Sequence, residues 1–136
     1  MKNSLCELES DDWGTAPADA SPMMQRIASL RYKDIRSFSI EDLRLCIGQD
    51  IGLVFLLPMA LNRLEQHLFC EGMHFKGDLL CNVLRASKVF YIENPALKAR
   101  ARSVLIQATA ALHQLDDIDA KTLAEAIAEA IAEFDA

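Results

Sequence analysis

The residues best suited to hold a metal are His67, Cys70, His74 and Cys81, an H-x2-C-x3-H-x6-C array of the imidazole and thiol types that zinc accepts. The spacing matches no standard zinc finger, and Cys70 and Cys81 sit where small core residues would. No bound metal is expected, and a small zinc-dependent enzyme built on these four residues is the alternative. Nucleophilic catalysis would need a serine or cysteine beside a base, commonly on a glycine-flanked turn. The chain has no G-x-S-x-G, no papain-like cysteine context and no G-x-x-x-x-G-K-S/T. Asp11-Asp12 and Asp116-Asp117 are sequence neighbours, which suits polar turns better than an acid and a base facing one another. Gly48 to Gly52 is too short for a dinucleotide fingerprint and follows no strand. The chain therefore reads as a non-enzyme with no catalytic residue and no cofactor.

What the sequence does offer is charge. The formal charge of −6 divides unevenly, with −4 on residues 1–25, −6 on residues 103–136 and +4 on the middle. An acidic protein repels phosphate backbones, so direct nucleic-acid binding is disfavoured, whereas a basic protein would be drawn in by the field. Glu7, Glu9, Asp11, Asp12 and Asp19 form the acidic group at one end, and Glu125, Glu129 and Glu133 recur every four residues at the other. Like charges at that helical spacing cost about 0.2–0.5 kcal/mol per pair, and a helix C-terminus prefers cations. The stripe is either a solvated face tolerated by a strong alanine helix or a surface offered to a basic partner.

Helical periodicity supplies the elements that would carry these groups. Residues 4–10 suit a short helical turn. Ser21-Pro22 starts a helix to about Leu30 that buries Met23, Ile27 and Leu30. Ser39 and Asp42 form a capping box before Ile40, Leu43 and Ile47, and Gly48 suits a left-handed stop. The next helix starts near Gly52 and carries Leu57, Leu61, Leu64 and Leu68 on one stripe; its apolar first half predicts the central element. Pro58 lies in its first turn or kinks it. Asp78 is placed to cap a helix with Leu79, Leu80, Val83 and Leu84, and Ser87 to Glu93 to form a short turn. Asn94-Pro95 opens a long helix reaching about Leu115, and the last helix carries Leu123, Ile127, Ile131 and Phe134. No run alternates as a strand would. The expected fold is all-α, a single-domain irregular helical bundle of about six to seven helices spanning 1–136, closed by helices at 95–115 and 120–134.

The 136 residues, 51% of them hydrophobic, suffice for one sizeable core and leave no room for a second domain. The first nine residues lack the apolar stretch of a secretory signal, so a cytoplasmic location is expected. The longest apolar run, Ile51 to Leu61, is about half the ~20 residues needed to span a bilayer, and no membrane contact is expected. Four widely spaced cysteines without a C-x-x-C pair read as reduced thiols.

Leu8-Glu9, Asp12-Trp13-Gly14, Ser21, Leu30-Arg31, Phe38, Glu41-Asp42-Leu43-Arg44-Leu45, Ile47-Gly48-Gln49 and Gly52-Leu53 follow one another in a characteristic order. Pro58, Ala60-Leu61, Leu64-Glu65, Glu71-Gly72, Gly77-Asp78-Leu79-Leu80 and Val83-Leu84-Arg85 extend it. Over about residues 5–90 the chain resembles bacterial contact-dependent growth inhibition (CDI) immunity proteins, with E-D-L-R-L-x-I-G-Q and G-D-L-L the most specific blocks. Lys33-Asp34 stands where a Lys-Pro would follow Leu30-Arg31, and the Ala/Glu-rich last helix matches no motif. The resemblance implies a cytoplasmic inhibitor that binds, one to one, the C-terminal domain of a cognate contact-delivered toxin. Such domains are frequently nucleases, EndoU-like RNases among them. A helical adaptor for some other cytoplasmic protein is the alternative that the same acidic surface allows. Trp13, Phe38, Leu43, Ile47, Leu53, Leu61, Leu79 and Leu84 are expected to make the fold, with Gly48, Gly52 and Gly77 in turns. Toxin contacts are expected first at Glu7, Glu9, Asp11, Asp12 and Asp19, then at Glu125, Glu129 and Glu133.

Overall fold

Serine hydroxyls set several of the helix starts. In the computed structural model, which describes residues 3–135, Ser4, Ser21, Ser39 and Ser87 each accept a backbone N–H of the first turn that follows. Met1, Lys2 and Ala136, the ends of the expected 1–136 domain, lie outside the described residues. The α-helices are α1 (Leu5–Leu8), α2 (Pro22–Leu30), α3 (Ile40–Gly48), α4 (Leu53–Gln66), α5 (Asp78–Leu84), α6 (Lys88–Glu93), α7 (Pro95–Ala110) and α8 (Asp117–Phe134). Two 3-10 turns, Ile35–Ser37 and Leu112–Gln114, complete the order, and no strand forms among the described residues. The protein is all-α, as its periodicity predicts. Among the described residues there are eight α-helices, the short segments α1 and α6 included.

One hydrophobic core joins residues from α1 to α8. Its centre is α5, not the apolar α4 expected from sequence: α5 packs against α3, α4, α7 and α8, while α4 packs against α3, α5 and α7. Six of the seven α5 residues are buried, whereas Val54 at the start of α4 is 66% exposed. Length explains the difference. Seven residues, about two turns, can be surrounded on every side, while a fourteen-residue helix keeps one face on the surface. Pro58 lies inside α4 and deprives the Val54 carbonyl of its helical donor. The helix ends at Gln66, so Leu68 belongs to the following loop, and α7 ends at Ala110, with Leu115 beyond the 3-10 turn.

Three other sequence expectations are corrected. Gly48 is the last residue of α3, and the left-handed conformation falls on Asp50 at φ +57°. What Gly48 provides is space: a Cβ there would lie 2.6 Å from the Asn82 amide nitrogen, which donates to the Arg44 carbonyl and ties α5 to α3. Gly52 and Gly77 do occupy positive φ. Met23 is 41% exposed because α2 turns Ile27 and Leu30 inward and leaves its first turn outside. Trp13 is 50% exposed, held outside the core by a loop that begins with two aspartates.

The N-terminal segment is tied down by its backbone. Ile35 N–H donates to the Asn3 carbonyl and Cys6 N–H to the Arg31 carbonyl, both at 2.9 Å, so α1 lies against the segment after α2. At the other end, the Tyr91 hydroxyl donates to the Val83 carbonyl at 2.6 Å, and its ring meets Phe134 edge-on at 5.5 Å. Lys98 and Arg102 lie over the Phe134 ring, at 5.3 and 5.1 Å, closing the last turn of α8 onto α7.

Candidate functional site

Two polar assemblies dominate the molecule, and they differ in what they leave available. The first is built from the family-like motif residues. Glu41, in the first turn of α3, accepts two bonds from Arg44 one turn later, at 2.7 and 2.6 Å, and a third from the Met73 N–H at 2.8 Å. Asp78 was expected to cap α5; it instead occupies the first helical position, with Gly77 before it. Its carboxylate reaches back to accept the N–H groups of Gly72, at 2.7 Å, and of His74, at 3.0 Å. Arg44 Nε lies 3.9 Å from the same carboxylate. A Cβ on Gly72 would crowd Glu41 Oε1, so a larger residue there must displace the Glu41 carboxylate.

Asp42 is the second carboxylate of the motif. It completes the expected capping box with Ser39 and pairs with Lys33 at 2.7 Å and Arg26 at 3.1 Å. Burial pushes the Asp42 carboxyl up, but the bonds from Lys33, the Ser39 N–H and Arg26 outweigh it and hold the group below its ordinary range. Glu41 is also held low, by Arg44 first and, against burial, by the Met73 N–H. Glu41, Asp42 and Asp78 are all buried, and their acceptor capacity is taken up by the fold. Chemically, this assembly clamps α3 to the 71–77 loop.

The second assembly lies on the outside, between residues 9 and 32. Arg31 is 1% exposed; one guanidinium nitrogen pairs with Glu9 and another donates to the Asp11 carbonyl at 2.6 Å. The guanidinium carbon lies 4.0 Å from the centre of the Trp13 ring, so the indole roofs a buried cation. The Trp13 N–H donates to Asp11 at 3.1 Å, and the Tyr32 hydroxyl donates to Asp12, which also accepts the Gly14 N–H at 2.8 Å. The Tyr32 bond, followed by the Gly14 N–H, lowers the Asp12 pKa. The loop Gly14–Ala20 then crosses α2 and is fastened by the Gln25 amide, which donates to the Ala18 and Ala20 carbonyls. Between this loop and α2 lie two open grooves of about 460 and 240 Å³.

The structure thus gathers Glu9, Asp11 and Asp12 around Arg31, Trp13 and Tyr32, while Asp19 is exposed in the Gly14–Ala20 loop. Glu7 is exposed on α1 and accepts from the Ser4 hydroxyl at 2.9 Å. Glu125, Glu129 and Glu133 are exposed on α8, where Glu129 meets Arg85 at 3.2 Å. Both partners of that pair are well solvated, so it contributes little. His67 and His74 are exposed while Cys70 and Cys81 are buried. Cys70 Sγ donates to the His67 carbonyl, and among the described residues no three His, Cys, Asp or Glu side chains converge as a metal site. Sequence reading did not find the Glu41–Arg44–Asp78 cluster or the grooves. Only the E-D-L-R and G-D-L-L blocks pointed toward the former.

What these features define is a small helical bundle whose motif polar groups are consumed internally. The family model of CDI immunity proteins matches residues 7–101, from α1 into α7. The chain belongs to the family of CDI immunity proteins, whose members neutralise a cognate toxin by binding it and are generally not enzymes. Comparison with curated proteins and with solved structures finds no match. The match ends before α8, in keeping with the absence of any recognisable motif there. Among the described residues no helix is long and apolar enough to cross a membrane.

Proposed function

We propose that this chain binds, one to one and in the cytoplasm, the C-terminal toxin domain of its cognate CDI toxin, and that this domain is a nuclease, an EndoU-like RNase being one form. The observation that carries the reading is membership of the immunity family over residues 7–101. The charge supports the finer part. A nuclease must hold phosphates and is basic where it does so, and a protein of net charge −6 is attracted to such a surface. Glu7, Glu9, Asp11, Asp12 and Asp19 supply the field at one end, and Glu125, Glu129 and Glu133 at the other. Inhibition comes from occupying or overhanging the toxin's active site, and the chain transforms no substrate.

The test is co-production with the cognate toxin domain. Cells making both should grow, the two proteins should co-purify at equal stoichiometry, and nuclease activity should disappear from the complex. Growth arrest despite abundant folded chain, or failure to co-purify, would remove the reading. A neutralised toxin that cleaves no nucleic acid would remove only the nuclease part.

A further inference from the structure

Resting on that reading, we infer that the toxin docks in the grooves between the Gly14–Ala20 loop and α2, placing there an apolar side chain flanked by lysine or arginine. The two grooves share Thr15, Ala16 and Ala28, so together they form one furrow floored by small residues. The volumes, about 460 and 240 Å³, leave room for large side chains that this protein does not itself supply. Around the furrow stand Trp13, Met24 and Tyr32, each 43–50% exposed. Tryptophan, tyrosine and methionine are the types enriched where protein interfaces concentrate their affinity. Elsewhere Val54, Met73, Ile106 and Ile118 stand singly, and Val89 and Ile92 lie one turn apart on α6.

Two properties separate this furrow from an incidental dent. First, its aromatic walls are already ordered: Trp13 is held between Asp11 and the Arg31 guanidinium, and Tyr32 is held by Asp12. Walls fixed before binding lose less conformational freedom when the partner arrives. Second, carboxylates are bonded to its aromatic walls. Asp11 accepts from Trp13 and Asp12 from Tyr32, while Arg31 is buried beneath Trp13 with Glu9 and the Asp11 carbonyl as partners. An apolar trough with a negative rim takes a segment with an apolar anchor and cationic neighbours, which a phosphate-binding domain carries.

The test measures association and dissociation of the full chain with the catalytically inactivated toxin domain. A16W fills the furrow and M24A trims its wall, and neither residue takes part in the buried carboxylate network. Each variant should keep the parent melting temperature, dissociate at least tenfold faster and associate within threefold of the parent rate. I118A, at an exposed position of α8 away from the furrow, should leave dissociation within twofold. Should the indole unsettle the loop, M24A gives the same readout alone. Folded furrow variants that dissociate at the parent rate would overturn this footprint while leaving neutralisation standing. Absence of any complex with the parent chain would defeat the functional reading itself. Self-association of the parent, abolished by A16W in sedimentation equilibrium, would show a second copy to be the occupant and overturn the assignment.

Discussion

Glu41→Ala separates what the family motif does for the fold from what the surface does for binding. The substitution strips Arg44 of two charge-assisted bonds, at 2.7 and 2.6 Å, and leaves the Met73 N–H without its acceptor. Removing one partner of a fully buried pair costs about 3–5 kcal/mol. Here the Arg44 and Glu41 side chains keep 13% and 11% exposure, and Asp78 stays 3.9 Å from Arg44 Nε, so about 2–3 kcal/mol is the appropriate share. The orphaned Met73 N–H adds about 1 kcal/mol. The total, about 3–4 kcal/mol, is a large fraction of the ~5–15 kcal/mol that holds a domain together. For a chain of this length it corresponds to a melting temperature lower by about 10–15 °C. Scanning calorimetry reads this directly, and a cycle with Arg44→Ala should show the two changes to be less than additive by at least about 1 kcal/mol. At a temperature where E41A is still folded, its toxin affinity should match the parent. A loss below about 1 kcal/mol, or full additivity with Arg44→Ala, would refute the clamp. Lost affinity in the folded variant would place the motif in the interface.

Three further outcomes follow from the same interactions. Glu41 and Asp42 have folded-state pKa values below their ordinary 4.5 and 3.8, so their contribution is complete above that range and is lost as pH falls through the depressed values. The melting temperature should therefore decline below about pH 4, less steeply in D42N, and an unchanged acid limb in that variant would contradict the assignment. Burial pushes the Cys46 thiol up to about 12 and Cys81 up to about 11 and raises Cys70 and Cys6 as well, but only Cys6 is partly exposed, so native thiol labelling should be confined to it. A second thiol reacting without unfolding would show that the core opens. Association with the toxin should slow at least tenfold between low and physiological salt because solvated acids act through the encounter rate; a salt-independent rate would exclude steering.

Much of the fold was legible because its signals are local. Ser21 before Pro22 and the Ser39–Asp42 box concern groups within one turn, and these starts fall where periodicity and cap chemistry put them. Asn94-Pro95 marks the α7 start correctly through proline alone: the Asn94 side chain makes no cap and donates to the Phe90 carbonyl. What sequence could not show is partnership across distance. Asp78 looks like a cap until the 71–77 loop folds back onto it, and Glu41 meets a backbone N–H thirty-two residues away. Gly48 looks like a helix stop because its real reason, the Asn82 amide on the neighbouring helix, is a packing fact. Trp13 reads as core by its type, yet its ring serves as the outer cover of Arg31. The acidic ends were visible as composition, whereas the furrow depends on how the Gly14–Ala20 loop crosses α2.

A CDI immunity protein protects by binding its cognate toxin. Calorimetric titration of the purified chain into its cognate toxin domain, with toxin activity assayed at each step, reads both binding and neutralisation in one experiment. The expected result is a saturating heat at equimolar ratio with activity vanishing at the same point. No heat, or full toxin activity in the presence of excess folded chain, would contradict it.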